Sequence, residues 1–516
     1  MNYLGIDYDV KNMPVLDEGF IPFGVWMKAY LEGAEHPIAV AVEREDGLIS
    51  VRESAIRGGE FAEADFRYVE RLVKFELWSI GGFRVYLRGC DDIAAKLAEA
   101  YSPEGARSFD YGFVGDVYEK PLEVMACTEA DFPAANEAAK KIGGHMEGCR
   151  IGFDAGGSDR KVSAVIDGES VYSEEVVWFP KVTEDPEYHF NEIVTAFKTA
   201  ASKMPRVDAI GVSSAGTFVG NSPMVASLFI KVPRERRDEV KSIYDRAGKE
   251  IGDVPLVVAN DGDVTALAGF MSTGKGDILG IAMGTSEAVG YVNDEGNVLG
   301  WINELAFAPV DLSPAAMQDE WSGDFGVGCK YFSQDAVIKL APAAGIELDP
   351  ELSPAEKLKV VQGLANEGHE GALDIFRSIG VYLAHTLVLY SSFYEIETLL
   401  VLGRVASGVG GDLVISECNR VLAEEHPELD AQINVTLPDE MMRRVGQSVA
   451  AASLPEAEKG ARGTPPSSFR RGPRRMARAF FRPPPISFKG LDAEKAGCCQ
   501  KRGGLAIVTR RMRRIL

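Results

Sequence analysis

Ile151-Gly152-Phe153-Asp154-Ala155-Gly156-Gly157-Ser158 is the stretch on which the fold turns. A short apolar run ends in an aspartate and enters a turn of two glycines and a hydroxyl residue, the pattern of a buried strand followed by a tight loop. Lys161 to Ile166 reads as a second strand, Asp167-Gly168 as a hairpin turn and Ser170 to Trp178 as a third strand. The pattern recurs about 130 residues later. There Ile278 to Met283, the turn Gly284-Thr285-Ser286, Glu287 to Val292, the turn Asp294-Glu295-Gly296 and a short strand Asn297-Val298-Leu299 follow in the same order.

Strand and helix patterns continue after each copy. Val207 to Val212 leads into Ser213-Ser214-Ala215-Gly216, and Val254 to Val258 into Ala259-Asn260-Asp261-Gly262-Asp263, with a helix expected over Val264 to Met271. In the second half, Ser378 to Tyr390 has helical spacing. Thr398 to Leu402 reads as a strand, Gly403 to Gly411 as a glycine-rich loop and Leu413 to Leu422 as a helix. The expectation is two α/β lobes with a ligand cleft between them. Residues 1–148 read as a separate α/β domain: a strand pair around Asp46-Gly47, a helix over Tyr68 to Trp78, a strand at Phe83 to Leu87 and a helix from Asp91. No catalytic constellation stands out there, and Gly5-Ile6-Asp7 lacks glycines after its aspartate.

The composition is that of a globular chain: 516 residues, 46% hydrophobic and 26% charged, long enough for several units and a cleft between them. The formal charge of −22 hides two regions of opposite sign. Ala457 to Leu516 holds 16 Lys and Arg against 3 Asp and Glu, so residues 1–456 carry a net −35. Such an acidic body disfavours nucleic acid as its main partner. The segment 456–516, rich in Arg and Pro, reads as a disordered basic tail outside the main activity. Seven scattered cysteines without a CxxC pair fit a reducing, cytoplasmic setting and argue against a zinc site. No stretch reads as a membrane span, Val381 to Tyr390 being interrupted by His385 and Thr386, and Met1 to Asp7 lacks the features of a secretory signal. His189, His369, His385 and His426 are dispersed, without metal-ligand spacing, and read as structural.

Glycines after an aspartate-ending strand let backbone N–H groups approach a polyphosphate, while the aspartate can hold magnesium directly or through water. Asp154, Gly156, Gly157 and Ser158 meet that need, and Lys161 could help neutralise phosphate charge. Gly284, Thr285 and Ser286 offer a second concave surface of N–H groups and hydroxyls. Asp261 closes a strand just before a helix, where a carboxylate can accept a proton; Asn260 and Asp261 could equally cap that helix.

Taken together and in order, these stretches resemble the actin-like ATPase superfamily, and most closely the ROK (repressor, open reading frame, kinase) group of sugar kinases, over about residues 149–455. The resemblance implies a ribonuclease H-like, two-lobed fold, the first lobe spanning 149–270 and the second 271–455. Asp154 to Ser158 is similar to the family's first phosphate motif and Gly284-Thr285-Ser286 to its second. Leu402 to Gly408 is similar to its adenosine motif, implying adenosine contacts at Gly403, Ser407, Gly408 and Gly410. Asn260-Asp261-Gly262-Asp263 resembles Asn-Asp-Ala-Asn, whose aspartate is the catalytic base, and Ala215-Gly216 resembles the Pro-Gly of the sugar-side loop. Substrate contacts are thereby implied at Gly216, Asn260 and Glu304, with ATP and Mg2+ as cofactors and Asp154 holding the metal through water.

The chain departs from that pattern in three places. Glu287 follows the second phosphate motif where further glycines are usual, Phe307 stands in place of a histidine, and Cys329 alone lies where zinc cysteines are expected. The reading is an ATP-dependent carbohydrate kinase acting on a small sugar, glucokinase-like, with homo-oligomerisation left open. The alternatives are a non-catalytic sugar or nucleotide sensor, for which Ser286, Glu287 and Phe307 are the motive, and an ATPase coupled to a protein partner.

Overall fold

A computed structural model describes residues 1–137, 142–438 and 440–457. The basic segment expected to be disordered lies almost wholly outside them. The N-terminal region builds its own sheet from strands β1 (His36–Glu43), β2 (Ile49–Ile56), β3 (Arg84–Arg88) and β4 (Glu123–Cys127), in the order β2-β1-β3-β4. Asp46 and Gly47, both at positive φ, turn the chain between β1 and β2, as Asp-Gly pairs favour. Helix α1 (Ala62–Ser79) and helix α2 (Ser108–Tyr118) accompany this sheet.

The first lobe holds β5 (Cys149–Ala155), β6 (Asp159–Ile166), β7 (Glu169–Val177), β8 (Ala209–Ser214) and β9 (Leu256–Asn260), ordered β9-β8-β5-β6-β7. β5, β6 and β7 form an antiparallel meander, whereas β5, β8 and β9 run parallel. β5 and β8 are buried along their whole length, which is why they read as continuous apolar or small-residue runs. Helix α3 (Asp261–Thr273) leads into the second lobe, where β10 (Ile278–Met283), β11 (Glu287–Val292), β12 (Thr398–Leu402) and β13 (Asn434–Thr436) are ordered β11-β10-β12-β13. The two-lobed α/β architecture with an added N-terminal α/β region is therefore present. The repeat is incomplete: Asn297 to Leu299 makes a single bridge, Val292 to Val298, in place of the expected strand.

Three more helices bear on the site: α4 (Glu370–Tyr390) and α5 (Gly408–Glu425) pack side by side on the second lobe, and α6 (Glu440–Ala452) joins α3 to the first-lobe sheet. α4 is long and apolar enough to cross a membrane, contrary to the expectation that no segment is, but 78% of its apolar window is buried inside the fold. α5 begins at Gly408, so the expected glycine loop is shorter than its sequence suggests. α6 passes so close over the first-lobe sheet that a Cβ at Gly211 would lie 1.7 Å from the Ala451 carbonyl oxygen.

The N-terminal region does not keep a core to itself. Its apolar residues are continuous with those of the second lobe, Phe75 lying 4.0 Å from Phe393 and Trp78 4.7 Å from Phe307 between ring centroids. Phe307 thus packs against α1 and α2. Beside it, Arg71, Lys74 and Arg107 meet Glu70, Asp110 and Asp324 in a buried, charge-balanced network, with Arg71 to Asp324 at 2.9 Å and Lys74 to Asp324 at 3.1 Å. Burial alone would push the Asp324 carboxyl up, but Arg71 and Lys74 outweigh it and hold the group below its ordinary value. The network fixes the segment 303–330, which carries Glu304, against the N-terminal region.

Candidate active site

The parallel register of β5, β8 and β9 places Asp154 beside Ser213 and Ser214 beside Asn260, so the chemistry-bearing residues gather at the carboxyl edge of one sheet. Asp154 is buried and accepts a hydrogen bond from the Ser213 hydroxyl at 3.1 Å. Burial first, and the Asp261 charge second, push its pKa up to about 6 against that hydrogen bond. The two carboxylates therefore sense one another across the strand ends.

Asn260 and Asp261 stand where β9 gives way to α3. Asn260 is a helix cap and a tie to the neighbouring loop. Its carbonyl oxygen caps the helix by accepting from Gly262 N–H at 2.7 Å, and its amide donates to the Gly216 carbonyl at 2.9 Å. The helix start is pressed onto β11: a Cβ at Gly290 would meet the Gly262 carbonyl carbon at 2.0 Å, so only glycine fits there. Burial raises the Asp261 carboxyl above its ordinary value, opposed by Gly262 N–H and by the Lys181 ammonium.

Glu304 accepts from the Thr217 hydroxyl at 3.2 Å, and burial with the nearby Asp261 charge pushes its pKa up to about 7. It is held from behind. Asp263 accepts from Tyr291 N–H at 3.0 Å and from the Asn303 amide at 2.9 Å, while Tyr394 donates to Asn303 at 2.9 Å. Asn303, at a positive φ of 49°, turns the chain so that Glu304 follows toward Thr217. Gly216, Asn260, Asp261 and Glu304 are thus brought into one corner.

The turn at Gly156-Gly157 is shaped by close approach. A Cβ on Gly156 would lie 2.6 Å from the Asp159 carbonyl oxygen, and one on Gly157 would lie 2.7 Å from the Lys181 ammonium. Ser158 donates to the Asp159 carboxylate at 2.9 Å, and Lys161 pairs with the same carboxylate at 3.3 Å. Lys161 also lines, with Asp154, Thr265, Leu402 and Gln447, a cavity of about 560 Å3 between the lobes. Asp261 lines a small cavity of about 90 Å3 alongside, which shares Thr265, Leu402 and Gln447. Gln447 donates to the Asp261 carbonyl at 3.1 Å and to Thr265 at 2.8 Å.

Thr285 and Ser286 are exposed, and Thr285 accepts from the Arg404 guanidinium at 2.9 Å, joining the second turn to the glycine loop after β12. Gly403 crosses Met283 too closely for any Cβ, and Ser407 donates to the Arg404 carbonyl at 2.7 Å. Gly408 is exposed at the start of α5. Gly410 is buried one turn in, where a Cβ would meet the Phe376 ring at 2.6 Å, so its place is between helices. Leu402 connects this group to the two cavities.

The carboxylate that follows the second turn poses no charge problem. Strand alternation puts Ala288 toward the small cavity and Glu287 on the opposite face, where Tyr390 donates to it at 3.2 Å. Burial pushes its pKa up to about 8, so it is mostly protonated at neutral pH. Where zinc cysteines were looked for, Lys330 is buried and pairs with Glu320 at 2.5 Å and Asp335 at 2.8 Å. The described cysteines, Cys90, Cys127, Cys149, Cys329 and Cys418, are free thiols.

Lys181, Arg404, Thr217 and Gln447 were not singled out from sequence. Thr217 directly follows the recognised Gly216 and Arg404 sits inside the recognised loop, so those two carried a signal; Lys181 and Gln447 carried none.

No family model and no curated protein matches the chain. Among solved structures it is similar to a ROK family glucokinase from Streptomyces griseus in complex with glucose and AMPPNP (20% identity, 59% of this chain and 98% of that one, TM-score 0.43). It is also similar to a ROK hexokinase from Thermus thermophilus (17% identity, 59% and 96%, TM-score 0.46). A third is a ROK family transcriptional regulator, a homologue of the E. coli MLC protein (16% identity, 70% and 87%, TM-score 0.47). These solved structures carry the name of the family that the sequence motifs of this chain resemble.

Proposed function

We propose that the protein transfers the γ-phosphoryl group of ATP to a hydroxyl of a small sugar, in the manner of a ROK-type, glucokinase-like kinase. The observation that carries this reading is the meeting of Asp261 with Asn260, Gly216 and Glu304 at the carboxyl edge of the sheet that also carries Asp154, two strands over, near the end of β5. Phosphoryl transfer asks the protein for positioning, charge neutralisation and one proton acceptor. Asp261 takes the proton from the acceptor hydroxyl. Its raised pKa brings it nearer the operating pH, which suits a general base. Asn260 and Glu304 orient the sugar hydroxyls, and the turns at Gly156 and Gly284 offer N–H groups to the phosphates.

The donor set at Asp154, a buried carboxylate beside a hydroxyl and lining a cavity shared with Ser163, Ser173 and Thr265, fits a magnesium ion held through water. When bound, that ion neutralises phosphate charge. Lys181 and Arg404 add positive charge beside the two turns. Gly403, Ser407 and Gly408 would line the adenosine; Gly410, buried under Phe376, would support the loop from behind. The same reading takes 1–148 as a buttress to the second lobe, 149–270 and 271–455 as the lobes, and a cytoplasmic setting.

The binding-only sensor is favoured by one observation, the packing of a half-buried Phe307 against Trp78 and Phe109, which removes a side chain from the acceptor corner. ADP release with Mg2+ and ATP across hexoses, N-acetylhexosamines and polyols separates the readings. A sugar-dependent rate that Asp261→Asn abolishes supports the kinase; ATP binding without turnover on any sugar supports the sensor.

A further inference from the structure

Two histidines separated by 41 positions, neither lining the cavities at Asp154 and Asp261, meet where α4, the end of α5 and the N-terminal segment converge. His385, fully buried on α4, places Nδ1 3.1 Å from Nε2 of His426, the residue after α5. Its other nitrogen lies 2.8 Å from the Asn12 carbonyl oxygen. A carbonyl only accepts, so Nε2 carries the proton, and in the neutral ring Nδ1 presents its lone pair toward His426. Burial lowers both histidines, His426 to about 4.

Glu425, the last residue of α5, completes the group. Its carboxylate accepts from Lys11 N–H at 3.1 Å and from Asn12 N–H, leaving further lone pairs on both oxygens. Burial would raise this carboxyl, but those hydrogen bonds outweigh it and hold it below its ordinary value. Potential ligand atoms of all three residues lie within 4.8 Å of one another. The N···N separation of 3.1 Å subtends an angle of about 98° at a metal ~2.05 Å from each nitrogen, close to a tetrahedral bite. The His385 N–H held by a backbone carbonyl is the outer hydrogen bond that orients ligating imidazoles in metal sites. A cavity of about 350 Å3, lined by Glu425, His426, Asp7, Asp9 and Lys11, adjoins the group and leaves room for a fourth ligand.

We propose that His385 Nδ1, His426 Nε2 and a Glu425 oxygen bind one divalent transition-metal cation of the zinc class, the fourth position being filled by water from the adjoining cavity. Two imidazoles and one carboxylate favour such an ion over magnesium or calcium, which prefer oxygen ligands throughout. The ion would cross-link α4 to the end of α5, whose ligands His385 and Glu425 are in turn hydrogen-bonded to the Lys11–Asn12 segment. The site shares no residue with the phosphoryl-transfer corner and does not depend on that assignment.

The test is Zn2+ titration of the chelator-stripped full chain against a chromophoric competitor, beside His426→Ala and Glu425→Gln, with circular dichroism to verify folding. The expected result is one equivalent that each variant loses or binds at least 100-fold more weakly, together with a zinc-dependent rise in Tm seen only in the wild type. Equal stoichiometry and affinity in wild type and folded variants overturns the proposal and leaves the pair as a histidine–histidine hydrogen bond. Should the variants not fold, Co2+ added to the wild type decides: intense absorption of tetrahedral cobalt with nitrogen and oxygen ligands supports the site, and six-coordinate or thiolate-bound cobalt overturns it.

Discussion

Replacing Glu287 by glutamine tests whether the carboxylate beside the Gly284-Thr285-Ser286 turn is neutral in the folded protein. Glu287 is 3% exposed, Tyr390 donates to one oxygen, and the other lacks a partner among the described residues. Burial raises its pKa from 4.5 to about 8. Between those values the folded chain keeps a proton that the unfolded chain has released, so stability falls as pH rises and levels off above about pH 8. At 1.36 kcal/mol per pKa unit, the wild type loses about 2 kcal/mol between pH 5.5 and pH 7 from this residue alone. Glutamine does not titrate, so Glu287→Gln should gain about 2 kcal/mol on the wild type over that interval and little beyond pH 8.5. Urea unfolding of both proteins at pH 5.5, 7 and 8.5, followed by circular dichroism, measures the gap. A gap that stays constant across the three pH values would show that the Glu287 carboxyl is not raised. Glu287 would then be ionised in the folded state, and its charge would bear on any phosphate bound at Gly284.

Asp324→Asn leaves the three buried cations Arg71, Lys74 and Arg107 facing two carboxylates; the expected loss is about 3–5 kcal/mol, read from chemical unfolding. Gly211→Ala sets a methyl group against the Ala451 carbonyl and forces α6 off the sheet, costing about 1–3 kcal/mol or more and lowering Tm. Lys181→Ala should leave Tm unchanged and lower kcat/KM for ATP by roughly 10-fold to 100-fold, as expected for removing one cation from a phosphate site. An unchanged kcat/KM would remove Lys181 from the site.

The strands that hold the candidate site were legible because they are short apolar runs that end in marked turns. Ile278–Met283, Glu287–Val292 and Thr398–Leu402 fall where the apolar runs place them. The turn-bearing residues Asp154, Asn260 and Asp261 followed, since each stands at a strand end. Other features were set by long-range packing that no local pattern records. The orientation of Glu287 depends on which face of β11 is covered by α4, and the reach of Lys181 over Gly157 depends on a loop with no local signature. His385 and His426 looked dispersed because their meeting requires α4 and α5 to pack side by side. The N-terminal region looked separate because its sheet is self-contained, whereas its aromatic residues and buried ions are completed by the second lobe.

The central claim is that Asp261 accepts the proton of a sugar hydroxyl as phosphate is transferred to it. Phosphorus NMR of reactions holding ATP, Mg2+ and a sugar that stimulates ADP release tests it most directly, with wild type and Asp261→Asn side by side. The account predicts a sugar phosphate ester formed by the wild type and a rate at least 100-fold lower in a folded Asp261→Asn. Ester formation at the wild-type rate by the variant, or inorganic phosphate as the sole product of the wild type, would contradict it.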